Sequence, residues 1–373
     1  MVKRCIYHIP NSINEEGQSG SQVRPLKMYN AFKAIGYEVD FVSGNNRERK
    51  KSIKEIEKKI TSGIQYEFMY SESSTMPTLL TERHHLPTHP FIDFRLMRIC
   101  NKKGIKVGLF YRDMHWRFQG YKAAVPLIKR LFATFFYKYD LLQYNRRVDQ
   151  MYFPSNKIIN YLPEIKVKAK NLFPGAEYLP SVLEEKRVQF QNLKREKINA
   201  FYVGGLGAKG SLYDLTMVFK VLVEYPTIEF YVCCRENEWK ENKRDYLPYL
   251  TDHVHVIHES GDRLEEYYKM SDLSICYYLP GAYRDLSMPV KLFEYMAHGV
   301  PVIANREGAT GTFVKNEEIG WSVPYDEDEL SKIFLEIVNN PISITKKYYN
   351  IINKLSENTW EARAKQVAKD LLK

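Results

Sequence analysis

Residues 287–304, "SMPVKLFEYMAHGVPVIA", read as a short helix, a glycine stop and a buried strand. Pro289 suits the first turn of a helix, where its missing N–H costs nothing. Gly299 suits the C-terminal stop, and Pro301 cannot continue the helix. The helix N-terminus therefore falls near Met288–Pro289, at the strand-to-helix edge of a sheet, where anionic groups bind. Lys291 lies in the first turn, against the helix dipole, and an external anion would remove that conflict. Glu294 lies three residues on, on the same face. A carboxylate there can accept two hydrogen bonds from a vicinal diol such as a ribose. The pair therefore points to a nucleoside diphosphate, with Lys291 on phosphate and Glu294 on ribose. An i,i+3 salt bridge worth a few tenths of a kcal/mol accounts for the same spacing.

Working outward, strands and helices alternate on both sides of this stretch. Strand "NAFYVGG", helix "YDLTMVFKVLVEY", strand "IEFYVCC", strand "VHVIH", helix "DRLEEYYKM" and strand "LSICYY" precede it. Near the start, "RCIYHIP", a Gly/Ser loop, a helix ending at Gly36 and "YEVDFVSG" repeat the order. Such alternation predicts parallel sheets with crossover helices. With 373 residues the chain is too long for one core. The expected organisation is α/β, with two doubly wound, Rossmann-like domains. The first spans 1–180 and the second 198–350, joined by a polar linker at 181–197. A terminal amphipathic helix lies within 351–373.

The block "PVKLFEYMAHGVPVIA" resembles the signature of GT-B-fold glycosyltransferases, in particular the large group 1 (family 4-like) set that builds bacterial polysaccharides and lipid-linked glycans. "IGWSVPYDEDEL" and the closing "TWEARA" helix resemble the same family. The resemblance implies two domains facing a cleft, with a nucleotide sugar on the second and a glycan or lipid-linked acceptor on the first. It makes Glu294 the ribose ligand and carries the final helix back to the first domain. It implies a metal-independent hexosyl- or glycosyltransferase of EC 2.4 type with no cofactor, a UDP-sugar being the expected donor. Leu286 stands where many members carry a second glutamate, with Arg284 and Asp285 beside it. Gly205 stands where many carry an arginine after the first strand of the second domain. Lys209 fits the following lysine, and Lys291 offers a replacement cation. Retention and inversion both stay open. So do two rivals, a sugar-nucleotide epimerase and a non-catalytic nucleotide-sugar-binding partner subunit.

In the first half, "EEGQSGSQVRP" is a glycine-rich turn that would let Gly20 and Ser21 border the ligands. It lacks the GxGxxG spacing of a dinucleotide fingerprint. "FYRDMHWRF" ends a strand with Arg112, Asp113 and His115, where parallel-sheet enzymes keep catalytic groups. Asp113 is the expected base for an acceptor hydroxyl, with His115 as the second candidate. An Asp cap beside a surface histidine is the plainer reading. Two possible metal groups are set aside: Asp326 and Asp328 open a helix, and His84, His85 and His89 lack carboxylate or thiolate partners.

Charge separates the halves. Residues 1–200 hold 35 basic and 19 acidic side chains, a net +16, and residues 201–373 hold 20 and 26, a net −6. The segment 121–147 mixes aromatics with Lys122, Lys129, Arg130, Lys138, Arg146 and Arg147. Ile128, Leu131, Phe132, Phe135, Tyr139 and Leu142 fall at helical spacing within it. It fits either a packed domain helix with a solvated basic face or a helix lying on an anionic membrane. No nucleic-acid-binding motif accompanies the charge. The five cysteines show no zinc spacing, and no run of about 18 apolar residues is present. A cytosolic protein is expected, with peripheral contact to the inner membrane face as a further option.

Overall fold

The computed structural model describes residues 2–13, 20–191 and 197–373. The chain divides into two compact units, 1–174 with 360–373, and 175–359.

Unit 1 holds a six-stranded sheet of β1 (Lys3–His8), β2 (Tyr37–Val42), β3 (Phe68–Glu72), β4 (Lys106–Phe110), β5 (Gln150–Phe153) and β6 (Lys168–Asn171), in the order β2-β1-β3-β4-β5-β6. Every pairing is parallel. Unit 2 holds β7 (Ile198–Val203), β8 (Ile228–Cys233), β9 (Val254–Ile257), β10 (Leu273–Cys276), β11 (Val302–Asn305) and β12 (Gly320–Val323), in the order β12-β11-β10-β7-β8-β9. These pairings are also all parallel. Strands covered on both faces are mostly apolar, and β3, β5, β10 and β11 are buried along their whole length, their polar members Ser71, Glu72, Gln150, Ser274 and Asn305 being hydrogen-bonded inside. In each sheet the order reverses once, between β1 and β3 and between β7 and β10. Ligands of open parallel sheets bind at the carboxyl ends of the strands flanking such a reversal.

The expected boundaries shift. The segment 181–197 is not simply a polar linker. Pro180–Gln191 is a helix of unit 2 that buries Val182, Leu183, Lys186 and Phe190. Its charges hid this, because the Lys186 ammonium is itself buried, donating to the carbonyls of Tyr268 (3.2 Å), Lys269 (2.5 Å) and Ser271 (2.7 Å) that end the helix Leu264–Met270. The helix Ile342–Leu355 also lies in unit 2, and a separate helix, Trp360–Leu371, packs in unit 1. The basic segment 121–147 is broken by Pro126 into Gln119–Ala124 and Leu127–Arg147. The strand β6, of polar sequence KAKN, has no counterpart in the expected pattern, because edge strands need no apolar run.

Candidate nucleotide site

The helix of the opening stretch runs Val290–Ala297, with Pro289 as its N-cap residue and Gly299 at φ +67° just beyond its end. Leu292, Phe293, Tyr295 and Met296 are buried, each worth about 1.5–3 kcal/mol. The helix is pinned to the last residue of β7. Val203 N donates to Tyr295 Oη at 3.1 Å, and Lys291 Nζ donates to Val203 O at 2.9 Å. Lys291 thus reaches the carboxyl end of β7, at the reversal of the unit 2 sheet.

Tyrosines surround that ammonium. It lies 4.0 Å from the centroid of Tyr202, on β7, and 4.9 Å from that of Tyr278, just after β10. Arg284 packs its guanidinium 4.4 Å from the rings of both Tyr213 and Tyr278. One arm of Arg284 donates to Leu212 O, while its Nε is buried without a partner. Among the described residues neither cation forms a salt bridge to a carboxylate, although the Glu294 charge, one turn along the helix, acts on Lys291. Burial, with the Arg284 charge adding to it, pushes the Lys291 ammonium down to about 7. Two cations facing each other over aromatic rings are poised for an external anion.

Gly204 makes the approach possible. Its φ is +144°, and a Cβ there would stand 2.6 Å from Lys291 Nζ. Gly205 follows, its carbonyl accepting from Tyr202 Oη, and a Cβ on it would meet the Tyr213 ring at 3.0 Å. One turn along the helix, Glu294 accepts from Tyr268 Oη at 3.1 Å. Tyr268 stacks on His298, with ring centroids 4.3 Å apart. His298 bonds Glu265 Oε2 at 3.0 Å and the Glu294 carbonyl at 2.7 Å.

The structure therefore joins Lys291, Arg284 and Gly205 through shared tyrosines, with Glu294 on the same helix as Lys291. Lys209 is exposed on the loop after β7, its backbone N–H donating to Asp245 Oδ2 at 2.7 Å, and no described contact joins it to the others. Asp285 accepts from Gly281 N at 3.3 Å. Gly204, Tyr268 and the tyrosine cage escaped the sequence reading. The doubled glycine at a strand end was the available signal.

In unit 1 the Asp113 carboxylate accepts from His115 N at 2.9 Å, and His115 Nδ1 stands 3.3 Å from its other oxygen. The His115 ring meets Tyr121 and Tyr137 edge-on. Both side chains are partly exposed. Arg112 turns inward instead, donating to Glu72 Oε2 at 2.8 Å. Glu72 is fully buried and is also approached by Arg24 Nε (3.2 Å) and Tyr70 Oη (3.0 Å). A second buried chain, Ser71–His8–Asp93–Arg49, ties the ends of β1 and β3, with 2.8 Å contacts on both His8 nitrogens and 2.9 Å from Arg49 Nε to Asp93. Neither network was read from sequence, since its members come from elements far apart in the chain. The turn before the first helix, residues 14–19, lies outside the described residues. Gly20 and Ser21 begin the helix Gly20–Ala34, and their side chains are likewise not described. Among the described residues no group of His, Cys, Asp and Glu could hold a metal ion, and no helix is long and apolar enough to cross a membrane.

Two parallel six-stranded units, each with helices and one sheet reversal, define the GT-B class of fold. A family model described as "Glycosyl transferases group 1" matches residues 197–340. Among solved structures, sucrose-phosphate synthase from Thermosynechococcus elongatus is similar at 16% identity and TM-score 0.60, covering 98% of each chain. HepE from Anabaena, in complex with UDP-glucose, is similar at 12% identity and TM-score 0.60, covering 99% of each. A glycosyltransferase from Rickettsia africae shows 15% identity and TM-score 0.60, over 100% of this chain and 99% of that one. No curated protein matches the sequence. The resemblance drawn from residues 287–304 therefore holds. The chain has the GT-B fold, and its second unit matches the group 1 glycosyltransferases.

Proposed function

We propose that this protein transfers a sugar from a nucleoside-diphosphate donor, a UDP-sugar, to a hydroxyl of a glycan acceptor carried on a lipid. The observation that carries the donor half is the pair of cations, Lys291 and Arg284, gathered over the shared ring of Tyr278 at the sheet reversal of unit 2. The matching family and the UDP-glucose bound by the similar HepE structure support a nucleotide sugar there. Lys291 and Arg284 would take the diphosphate, and Glu294, oriented by Tyr268, the ribose hydroxyls. In the reaction the acceptor oxygen bonds to the anomeric carbon, the bond from that carbon to the diphosphate breaks, and the acceptor proton leaves to a base. Cations over the departing diphosphate stabilise the charge that develops on it. Asp113, in unit 1, is the base we assign, with His115 beside it as its proton partner.

Calorimetric titration with UDP tests the donor half. Glu294→Ala should weaken binding by about tenfold to a hundredfold, the usual effect of losing hydrogen bonds to a charged group, with a loss of stability limited to about 1–3 kcal/mol from the unpaired Tyr268 hydroxyl. Equal affinity overturns the ribose assignment. Asp113→Asn should bind UDP normally and lose transfer; full turnover removes it as the base.

A further inference from the structure

The helix Leu127–Arg147 turns Ile128, Leu131 and Phe135 outward and buries Tyr137, Asp140, Gln143 and Tyr144. Buried polar groups are ordinarily hydrogen-bonded, and buried carboxylates are ordinarily paired with a cation. Asp140 departs from both rules. Its Oδ2 accepts from Thr78 N at 2.7 Å, but its Oδ1 is buried without a donor. One turn along the same face, Gln143 Oε1 is also buried without a donor. Two buried acceptors one turn apart lack a hydrogen between them.

Nearby charge does not relieve this. The groups facing Asp140 are the Thr78 amide and hydroxyl, Asp93 from the helix Ile92–Lys102, Tyr111 just after β4, and Tyr137 and Tyr144 from its own helix. Of these only Asp93 is charged, with the same sign, and it already bonds His8 and Arg49. Burial pushes the Asp140 carboxyl up to about 7, with the Asp93 charge adding to the rise and the Thr78 hydrogen bonds opposing it.

The helix is joined to residues 75–80 around this point. Tyr144 Oη bonds Thr78 Oγ1 at 2.9 Å, and Tyr137 Oη donates to Thr75 O at 2.8 Å. Tyr137 also stacks on Trp116, with ring centroids 4.9 Å apart, and meets His115 edge-on. We propose that Asp140 is a proton-operated latch: protonated, it supplies the hydrogen that Gln143 Oε1 lacks and locks the helix to residues 75–80; ionised, it leaves an unpaired charge there and loosens the join that supports Trp116 and His115. The proposal depends neither on the nucleotide site nor on the role of Asp113.

An unfolded aspartate titrates near 3.8, so between that value and about 7 the folded chain holds the extra proton. Asp140 therefore makes unit 1 less stable as pH rises through this window, the folding constant falling by at most about tenfold per unit. Asp140→Asn tests this, since its amide keeps the shape, accepts from Thr78 N and can donate to Gln143 Oε1. In differential scanning calorimetry of the full chain, unit 1 of the variant should melt above that of the unsubstituted protein at pH 8, and the gap should narrow towards pH 5. Hydrogen exchange, corrected for its intrinsic pH dependence, should show protection of the Thr78 amide falling by about tenfold or more from pH 5 to pH 7 in the unsubstituted protein but not in the variant. A gap that ignores pH, a variant less stable at pH 8, or Thr78 protection that follows the same course in both proteins overturns the proposal. Infrared difference spectra of the unsubstituted protein between pH 5 and pH 8 read the proton directly. The carbonyl band of a buried protonated carboxyl should vanish at the higher pH, and its absence at pH 5 overturns the proposal even if Asp140→Asn does not fold.

Discussion

Lys291 is neutralised in part by its own surroundings. Burial and Arg284 hold its pKa at about 7, below the ordinary 10.5. Between those values the unfolded chain holds more protons than the folded one, so this lysine's contribution to stability rises with pH across the window. A bound diphosphate favours the charged form, so binding above about pH 7 takes up a proton, and affinity falls as pH rises, by at most about tenfold per unit. Calorimetry at pH 8 in buffers of different ionisation enthalpy should report this uptake, and Lys291→Gln should abolish it. Buffer-independent enthalpies for the unsubstituted protein would exclude Lys291 from the phosphates. That Lys291 and Glu294 share one helix was legible in the sequence, from the proline before it and the glycine after it. Arg284 was legible only as a charge near the site, since its tyrosine cage joins residues 213 and 278.

The helix Val290–Ala297 and the end of β7 act as one piece, joined at Val203 and separated by a glycine-sized gap. Gly204→Ala would place a methyl against Lys291 and force a left-handed conformation on alanine. The expected result is destabilisation of roughly 1–3 kcal/mol together with weaker UDP binding. Gly36→Ala is the matched control. Its φ is +92°, but no atom lies within 4 Å of the added carbon, so it should cost stability without touching UDP affinity. Thermal melts and titrations of both variants check this, and normal UDP binding by Gly204→Ala would show that Lys291 moves freely. Strand and helix types were readable from periodicity. Pro180–Gln191 was not, because its buried face includes a lysine whose carbonyl partners lie some eighty residues away in sequence.

Taken as a whole, the chain closes unit 1 with its last residues. Trp360, Ala364, Val367 and Leu371 are buried, and Leu371 packs against Gly108 of β4, where a Cβ would meet it at 2.9 Å. Arg363 Nε donates to Pro174 O at 3.0 Å. Losing four such side chains removes about 5–10 kcal/mol, comparable to the stability of a domain. A chain ending at Thr359 should therefore lose the unit 1 transition in differential scanning calorimetry and keep the unit 2 transition with its UDP-induced shift. Retention of both transitions would show that the helix Trp360–Leu371 is dispensable.

Hydrophobic periodicity and the block at 287–304 were enough to specify two parallel α/β domains and to put Lys291 and Glu294 on one helix as candidates, because both kinds of information are local. Spacing along one helix cannot say what faces it. That Lys291 crosses to β7, that Gly204 leaves room for it, that Arg112 is drawn inward by Glu72, and that Leu127–Arg147 turns an apolar side outward all depend on long-range packing. Those contacts exist only once the sheets have brought distant strand ends together.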